Sequence, residues 1–246
     1  MQDVKIDIEY LKNLFIKGLI HLGIEPDEHK IYQFFTYLEI LKEWNKKMNL
    51  TGIKNPEDII IKHFLDSLTC TKIYRFFKGE RVIDIGTGAG FPGIPVKVYF
   101  PEINLTLLEA NKKKSDFLKY IKSALKLDRV EILWGRAEEY GRKAGYRNGY
   151  DVVLSRAVSE LRILIELCLP LLRKEGVFIA LKGKEIGEEI EKAENAISIL
   201  GGKVVGVNKI ILPFINQVRN LVIIEKEKCT PIRYPRGIGI PKKRPL

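Results

Sequence analysis

Residues 82–93 read Val82-Ile83-Asp84-Ile85-Gly86-Thr87-Gly88-Ala89-Gly90-Phe91-Pro92-Gly93, a short apolar strand that runs into a glycine-rich turn and the start of a helix. Glycines let the backbone turn tightly and approach a ligand closely. Pro92 is compatible with the first turn of a helix but not with its interior. The loop therefore predicts a ligand site after a buried strand, with a plain strand-to-helix turn as the alternative.

The strand before this loop is the first of several short β-branched runs in the sequence. The predicted strands are Arg81–Gly86, Asn104–Ala110, Val130–Gly135, Tyr150–Ala157 and Val177–Gly183. Helical stretches separate them, including Ser115–Leu127, Leu161–Arg173 and Glu185–Leu200. Strands that alternate with helices predict a parallel sheet with helices on both faces.

The last two strand-like runs break this rhythm. Lys203–Leu212 and Asn220–Lys226 are joined only by Pro213–Arg219, which is too short for a parallel crossover. We expect an antiparallel pair at the sheet edge. Dinucleotide-binding sheets are usually parallel throughout, whereas an antiparallel last strand is typical of S-adenosylmethionine-dependent methyltransferases. The predicted fold is α/β, a Rossmann-like seven-strand class I methyltransferase sheet with a helical N-terminal extension.

The chain before the sheet is predicted to be helical. Residues 3–22 have an amphipathic pattern, Pro26 and Asp27 open a second helix, and Asn55 caps a third that runs to about Cys70. We predict three parts: a helical extension over 1–75, a methyltransferase core over 76–228, and a basic tail over 229–246 that packs on the core.

Composition excludes several classes of protein. No apolar run among the 246 residues approaches the roughly 18–20 needed to span a bilayer, and no signal-peptide pattern precedes the first helix. The three cysteines are far apart, so we expect neither a disulfide framework nor a metal site, and a cytoplasmic location. The formal net charge of +11 fits a nucleic-acid partner or a lysine-rich soluble surface equally well.

The residues around the glycine loop indicate which class of ligand it could bind. No lysine follows the glycines, which argues against a Walker loop, and Phe91 lies where a pyrophosphate would approach. Asp84 would repel phosphate but suits a cationic ligand with a free amine, such as S-adenosylmethionine. Glu109 ends the second strand, where an acid can accept both ribose hydroxyls. A turn-forming aspartate and a solvated helix cap are the alternatives for these two acids.

Two further strand ends should meet the same cleft, since ligands of open sheets bind at the carboxyl ends of strands. Ala137 and Glu138 follow strand three, the region that usually meets adenine in methyltransferases. Arg156 follows strand four and could serve the cofactor carboxylate or a substrate phosphate. A surface ion pair with Glu160 is the alternative for Arg156.

Several motifs together resemble the RsmG (GidB) family of small-subunit ribosomal RNA guanine-N7 methyltransferases, from about residue 40 to the end. The glycine loop is shared with many methyltransferases, and the others are more specific. The motifs are Trp44-Asn45-Lys46-Lys47-Met48-Asn49-Leu50-Thr51, His63-Phe64-Leu65-Asp66-Ser67-Leu68, the loop Asp84–Gly93, Ser155-Arg156-Ala157, Leu181-Lys182-Gly183, and Tyr234-Pro235-Arg236 with Gly239-Ile240-Pro241 and Lys243-Arg244-Pro245-Leu246.

The resemblance implies methyl transfer from S-adenosylmethionine to N7 of one guanine in a loop of 16S ribosomal RNA. It implies these cofactor contacts: Gly86, Phe91, Ala137, Glu138 and Arg156. The strand-end argument adds Asp84, Gly88 and Glu109. The partner would be 16S RNA or the small ribosomal subunit, and nothing in the sequence demands an oligomer, so we expect a monomer.

The chemistry requires no catalytic residue, because N7 of guanine carries a free lone pair and no proton. Candidates for positioning the substrate are Asn49, His63, Arg156 and Lys182, although a helix histidine bonded to Ser67 or lying near Asp66 is the favoured interpretation of His63. The residues predicted to contact RNA phosphates are Arg233, Arg236, Lys242, Lys243 and Arg244. For the run Lys112–Lys114 we favour a solvated helix start.

Three other functions compete with this one. They are a methyltransferase with a different substrate, a nicotinamide-dependent oxidoreductase on the same sheet, and an RNA-binding module without a cofactor. The basic tail argues against a small-molecule substrate, Asp84 and the antiparallel pair argue against the oxidoreductase, and the intact glycine loop argues against the module. The sequence leaves open whether naked RNA or the assembled subunit is the substrate.

Overall fold

The computed structural model describes residues 7–156, 159–183 and 185–246. Its centre is a seven-stranded sheet in the order β3-β2-β1-β4-β5-β7-β6. The strands are β1 Arg81–Ile85, β2 Asn104–Glu109, β3 Val130–Trp134, β4 Tyr150–Arg156, β5 Leu172–Lys182, β6 Gly202–Ile211 and β7 Val218–Lys226. Strands β1 to β5 pair in parallel, whereas β7 is antiparallel to both of its neighbours, β5 and β6. The predicted fold class is confirmed.

Helices cover both faces of the sheet. They are α1 Ile8–His21, α2 Glu28–Lys47, α3 Pro56–Ile59, α4 Asp66–Leu68, α5 Gly93–Tyr99, α6 Lys112–Ala124, α7 Ala137–Tyr140, α8 Leu161–Cys168, α9 Gly187–Leu200 and α10 Ile240–Lys243. Because side chains alternate along a buried strand, Val82 packs with α5 and α6 on one face, and Ile83 packs with α8 and α9 on the other. None of the helices in the described part of the chain is long and apolar enough to cross a membrane.

The N-terminal helices share a core with the α5–α6 face of the sheet. The ring of Phe34 lies 4.7 Å from that of Phe15 and 5.0 Å from that of Phe64, between centroids, and all three rings are buried. The same apolar cluster continues into β1, α5 and α6. The helical extension is therefore fixed against the sheet, close to the glycine loop.

The third helix was predicted to run without a break to about Cys70, but in the structure it is divided. Asn55 does cap its start, by accepting a hydrogen bond from the backbone N–H of Glu57. The chain then passes from α3 into a π-helical turn, Ile60–Leu65, through α4, and into a 3₁₀ turn, Thr69–Lys72. The residue types are all helix-compatible, so the sequence pattern carries no signal for the wider turn. Such single π turns often occur at functional sites.

Other boundaries differ from the predicted ones for local reasons. Helix α8 ends at Cys168 rather than Arg173, because Pro170 has no backbone N–H to continue the helical hydrogen bonds, and β5 begins five residues early at Leu172. Helix α6 begins at Lys112 because Asn111 accepts a hydrogen bond from the backbone N–H of Lys114. The lysine run is thus the first turn of a helix. Ala157, predicted to end a strand, lies outside the described residues, as do residues 3–6 of the first predicted helix.

Candidate active site

A cleft opens at the carboxyl ends of β1, β2 and β3, the predicted place. It has a volume of about 240 Å³ and is lined mainly by small and apolar residues, among them Gly86, Ala110, Gly135, Ala137 and Ile163. A wider hollow of about 590 Å³ lies at the amino ends of the same strands. Ligands of open parallel sheets bind at the carboxyl ends, so the smaller cleft is the candidate site.

Asp84 lies at the end of β1 and is fully buried. Its Oδ2 accepts hydrogen bonds from the Thr87 hydroxyl at 2.6 Å and from the Gly93 N–H at 2.8 Å. Its Oδ1 has no partner among the described residues. Burial raises the pKa of this carboxyl from 3.8 to about 6. A buried acceptor without a donor is rare and suits a ligand that brings one.

This carboxyl makes the stability of the protein depend on pH. Because the folded state holds the Asp84 proton up to a pKa of about 6, the stability from this group is fully present below pH 3.8 and is lost as the pH rises through 6. Asp84→Asn removes the titration and keeps an acceptor oxygen. Two pKa units correspond to about 3 kcal/mol, so we expect the variant to gain about that much relative to wild type between pH 4 and pH 7.5. Urea unfolding at both values measures it, and parallel stability curves would contradict it.

The glycine loop takes a backbone conformation that other residues rarely adopt. Gly86, Gly88 and Gly90 have φ values of 67°, 61° and 101°. A Cβ at Gly90 would lie 2.4 Å from Ile94 Cδ1 and 2.8 Å from the Tyr37 hydroxyl, whereas a Cβ at Gly88 would meet open space. The Tyr37 hydroxyl donates a hydrogen bond to the carbonyl of Ala89. Helix α2 thus supports the loop from beneath.

The side chain of Phe91 is buried away from the cleft. Its ring stacks between Tyr37, at 5.4 Å, and the imidazole of His63, at 4.5 Å between centroids. The guanidinium of Arg156 lies 5.1 Å from the ring centroid. Phe91 therefore connects the loop to the N-terminal helices, and only its backbone remains for the predicted cofactor contact.

Glu109 joins the loops after β1 and β2. Its two carboxylate oxygens accept hydrogen bonds from the N–H groups of Gly88 and Asn111, each at 2.8 Å. Each carboxylate oxygen has a second lone pair, so the side chain can still accept from a ligand. The predicted acid is thus next to Gly88, the predicted loop glycine, and it fixes the position of that loop.

Ala137 and Glu138 begin α7 and line the cleft. The Oε1 atom of Glu138 accepts a hydrogen bond from the backbone N–H of Gly239 at 3.0 Å. Gly239, Pro241 and Lys242 also line the cleft. Sequence analysis missed this contribution of the C-terminal tail, which no spacing of residues could have indicated.

Arg156 faces the N-terminal helices. Its NH1 group donates to the carbonyl of Lys62 and to Asp66 Oδ2, both at 3.0 Å, and NH2 lies 3.0 Å from His63 Nδ1. The alternative pairing with Glu160 does not occur, since Glu160 pairs with Arg162. Asp66 also accepts from Arg219 at 2.9 Å. No sequence pattern singled out Asp66 or Arg219 as partners of Arg156.

The contacts of His63 define its tautomer. An arginine is only a donor, so Nδ1 accepts from Arg156, and Nε2–H donates to the Thr51 hydroxyl at 2.7 Å. Burial, with the charge of Arg156, lowers the pKa of His63 from 6.5 to about 3. The Ser67 hydroxyl donates to the His63 backbone carbonyl and not to its ring. The imidazole is therefore neutral, and both of its nitrogens are engaged.

The other predicted residues lie apart from this cluster. Asn49 is exposed in the loop after α2. The Nζ atom of Lys182 is 2.7 Å from both the Ser159 carbonyl and Glu189 Oε2. In the tail, Arg236 forms a salt bridge of 2.6 Å with the buried carboxylate of Glu166. The remaining predicted RNA contacts are exposed: Arg233, Lys242, Lys243 and Arg244.

The cleft fits a nucleoside with a cationic amino-acid arm better than a phosphate ligand. Its apolar walls suit a flat base. Glu109 and Asp84 are not among the residues that line it, but they contact the adjoining glycine loop, where Glu109 suits a ribose and Asp84 offers an unpaired acceptor to an ammonium group. No group of three or more His, Cys, Asp or Glu residues that could hold a metal ion occurs in residues 7–156, 159–183 and 185–246.

The chain is similar in sequence to the proteins of one family. Residues 30–222 match the family model GidB, described as rRNA small subunit methyltransferase G. Proteins named ribosomal RNA small subunit methyltransferase G are similar over most of the chain. The one from Alkaliphilus metalliredigens is 46% identical, covering 96% of this chain and 98% of its own, and that from Desulforamulus reducens is 47% identical, covering 89% and 91%.

Solved structures show similarity in fold. TrmN from Thermus thermophilus has a TM-score of 0.52 at 15% identity, covering 66% of this chain and 48% of its own. YcgJ from Bacillus subtilis has a TM-score of 0.51 at 13% identity, covering 68% of this chain and all of its own. At these identities the likeness concerns the class I methyltransferase fold alone.

Proposed function

The chain belongs to the GidB family, rRNA small subunit methyltransferase G, and from that premise we propose that it methylates N7 of a guanine in a loop of 16S ribosomal RNA with S-adenosylmethionine. The observation that carries the cofactor assignment is the pair of carboxylates, Asp84 and Glu109, at the ends of adjacent strands beside the glycine loop. Acids at these positions favour a cationic ligand and oppose a phosphate.

Each part of the cleft has a proposed role in holding this cofactor. Glu109 accepts the ribose hydroxyls while it holds Gly88, and the open space at Gly88 leaves room for the amino-acid arm. Asp84 Oδ1 supplies an acceptor for the ammonium group. Ala137 and Glu138 border the adenine.

Arg156 keeps two of its five N–H donors outside the contacts made by the described residues. Its other three donors are held by Lys62, His63 and Asp66. We assign the remaining donors to an anion, either the carboxylate of the cofactor or a phosphate of the substrate. The contacts with the N-terminal helices would fix the guanidinium in place before either ligand arrives.

The reaction needs no general base. S-adenosylmethionine supplies an electrophilic methyl carbon on a sulfonium sulfur, and guanine N7 offers a lone pair without a proton. The contribution of the protein is then to align the reactants and exclude water, which can account for several kcal/mol of the barrier (about 7–11 at most). The neutral, fully engaged imidazole of His63 agrees with this scheme, because it has no lone pair left to take a proton.

We predict that His63→Gln lowers the single-turnover rate of methyl transfer by less than about tenfold. Loss of a general base would cost about 10²–10⁴, whereas a glutamine can still accept from Arg156 and donate toward Thr51. Thr51→Val serves as the matched control, since it removes one partner of the ring and leaves the imidazole. A loss of 100-fold or more in His63→Gln alone, with the fold intact, would assign the proton chemistry to this residue.

The substrate assignment rests on charge and on RNA geometry. N7 faces the deep and narrow major groove of A-form RNA, so the target guanine should be unstacked in a loop. Arg233, Lys242, Lys243 and Arg244 are exposed and suit phosphate contacts, whereas Arg236 is engaged by Glu166 and contributes to the tail structure instead. We propose action as a monomer in the cytoplasm.

The test is methyl transfer from labelled S-adenosylmethionine to naked 16S RNA and to purified small subunits, followed by digestion to nucleosides. We expect the label in 7-methylguanosine, and the better substrate defines the assembly stage that is recognised. Label in another nucleoside would overturn the N7 assignment, and cofactor binding without RNA labelling would overturn the substrate. A protein that binds nicotinamide dinucleotide instead would overturn the cofactor.

A further inference from the structure

The end of the chain forms part of the wall of the cofactor cleft. The N–H of Gly239 donates to Glu138 Oε1 at 3.0 Å, and Pro241 and Lys242 line the same cleft. We call residues 237–246 the C-terminal wall. One side of the cleft is thus formed by a segment that lies about 100 residues further along the chain than Glu138, which it contacts.

The chain just before the C-terminal wall is firmly held. Arg236 donates to the buried carboxylate of Glu166 through its backbone N–H and its guanidinium, at 2.6 to 3.1 Å. Arg147 donates to the carbonyls of Thr230 and Tyr234, at 2.8 and 2.6 Å. Buried, charge-assisted contacts of this kind are strong. Residues 230–236 are therefore a fixed support.

The C-terminal wall itself is attached more lightly. Of the hydrogen bonds made by residues 237–246, the Gly239 bond is the one that reaches another described part of the chain. The remaining bonds close the short helix α10 on itself, and Leu246 packs against the α8–α9 side of the core. Besides the buried Pro241 and the contact of Leu246, the segment is thus held by one polar contact, with Glu138, a residue assigned to the adenine end of the cleft.

The other side of the C-terminal wall is basic. Lys243 and Arg244 are exposed and do not line the cleft, whereas Lys242 is exposed at the cleft itself; none of the three forms a salt bridge with a carboxylate in the described residues. Three adjacent cations without a counter-charge suit the phosphodiester backbone of RNA. One short segment therefore faces the cofactor cleft on one side and presents free positive charge on the other.

We propose that the C-terminal wall couples the two ligands: RNA phosphates bound to its basic side hold it against the cofactor, so that RNA and cofactor each tighten the binding of the other. The inference rests on the proposed cofactor and substrate. Coupling of this kind is reciprocal and typically amounts to about 5–150-fold in affinity. It would favour cofactor retention on enzyme that has already bound RNA.

The experiment is calorimetric titration of the full chain with S-adenosylhomocysteine, with and without a 16S RNA transcript. We expect RNA to tighten cofactor binding of the wild type by about fivefold or more. Lys243→Ala/Arg244→Ala should reduce this gain to less than twofold. A chain that ends at Arg236 keeps the Glu166 contact but lacks the wall, and should bind the cofactor more weakly even without RNA.

The matched control is Lys174→Ala/Lys203→Ala. It removes the same amount of positive charge near the amino ends of β5 and β6, whereas the cleft lies at the carboxyl ends of strands. In this control variant, RNA should tighten cofactor binding as much as it does in the wild type. An equal gain in wild type and Lys243→Ala/Arg244→Ala, or wild-type binding that RNA does not change, would overturn the coupling and leave the proposed function standing. Wild-type enzyme that binds no S-adenosylhomocysteine at all would overturn both.

Discussion

Replacing Glu109 with alanine is expected to weaken S-adenosylhomocysteine binding by about 100-fold or more. The proposed role of this carboxylate is to accept both ribose hydroxyls, and hydrogen bonds to a charged group are worth about 1.5–3 kcal/mol each. The same side chain holds the N–H groups of Gly88 and Asn111. Its loss would therefore also loosen the loop that lies against the cofactor. Calorimetric titration of the purified variant measures the effect.

Two further variants separate ligand contact from a general loss of structure. Glu109→Gln keeps one acceptor oxygen but no charge, so we expect an intermediate loss of about tenfold. Glu131 lies on the neighbouring strand β3, outside the cleft, and its carboxylate accepts hydrogen bonds from the hydroxyls of Thr106 and Tyr146. Glu131→Ala removes this carboxylate. Its affinity should stay within about twofold of wild type. If Glu109→Ala binds within threefold of wild type, the ribose assignment is wrong.

The sheet could be predicted from the sequence because its strands and their order follow from patterns of neighbouring residues. Each parallel strand is a short apolar run between helices, and the antiparallel order of β7 follows from the short connection before it. The resemblance to the RsmG (GidB) family, stated from motifs such as His63-Phe64-Leu65-Asp66-Ser67-Leu68, is confirmed by the family model and by the relatives.

Much of the arrangement around the site could not be predicted, since its contacts join distant parts of the chain. Arg156 and Asp66 are 90 residues apart, Arg219 and Asp66 are 153 apart, and Gly239 and Glu138 are 101 apart. No periodicity or spacing encodes such pairs. The sequence did indicate which residues carry charge near strand ends, but it assigned Arg156 an alternative partner, Glu160, that it does not have.

The same contacts explain why a helical extension accompanies the sheet. The extension supplies Tyr37 beneath Ala89, His63 against Phe91, and Asp66 between two arginines. None of these groups is among the residues that line the cleft. The extension therefore acts as the rigid support that fixes the loop conformation, and such a support suits the proposed reaction without a general base.

Asp66→Ala is expected to lower the free energy of unfolding by about 3–5 kcal/mol, the range found when one partner of a buried ion pair is removed. Asp66 is 2% exposed and accepts from both Arg156 and Arg219. The variant leaves two largely buried guanidinium groups near each other without a counter-charge, because Asp66 is the carboxylate that pairs with both. Urea unfolding at pH 7.5 measures the change.

For the three members of this cluster, the loss in the free energy of unfolding should depend on the unpaired charge that each substitution leaves in the protein. Arg219→Met leaves Asp66 paired with Arg156, so it should cost least, about 1–2 kcal/mol. Arg156→Met should cost more, since it also frees the Lys62 carbonyl and His63 Nδ1. The double variant Asp66→Ala/Arg219→Met removes one of the two uncompensated charges. It should be more stable than Asp66→Ala alone, a non-additive result that contacting groups produce and independent ones do not. Additive losses, or an Asp66→Ala variant within 1 kcal/mol of wild type, would mean that the cluster is open to water and does not hold the loop.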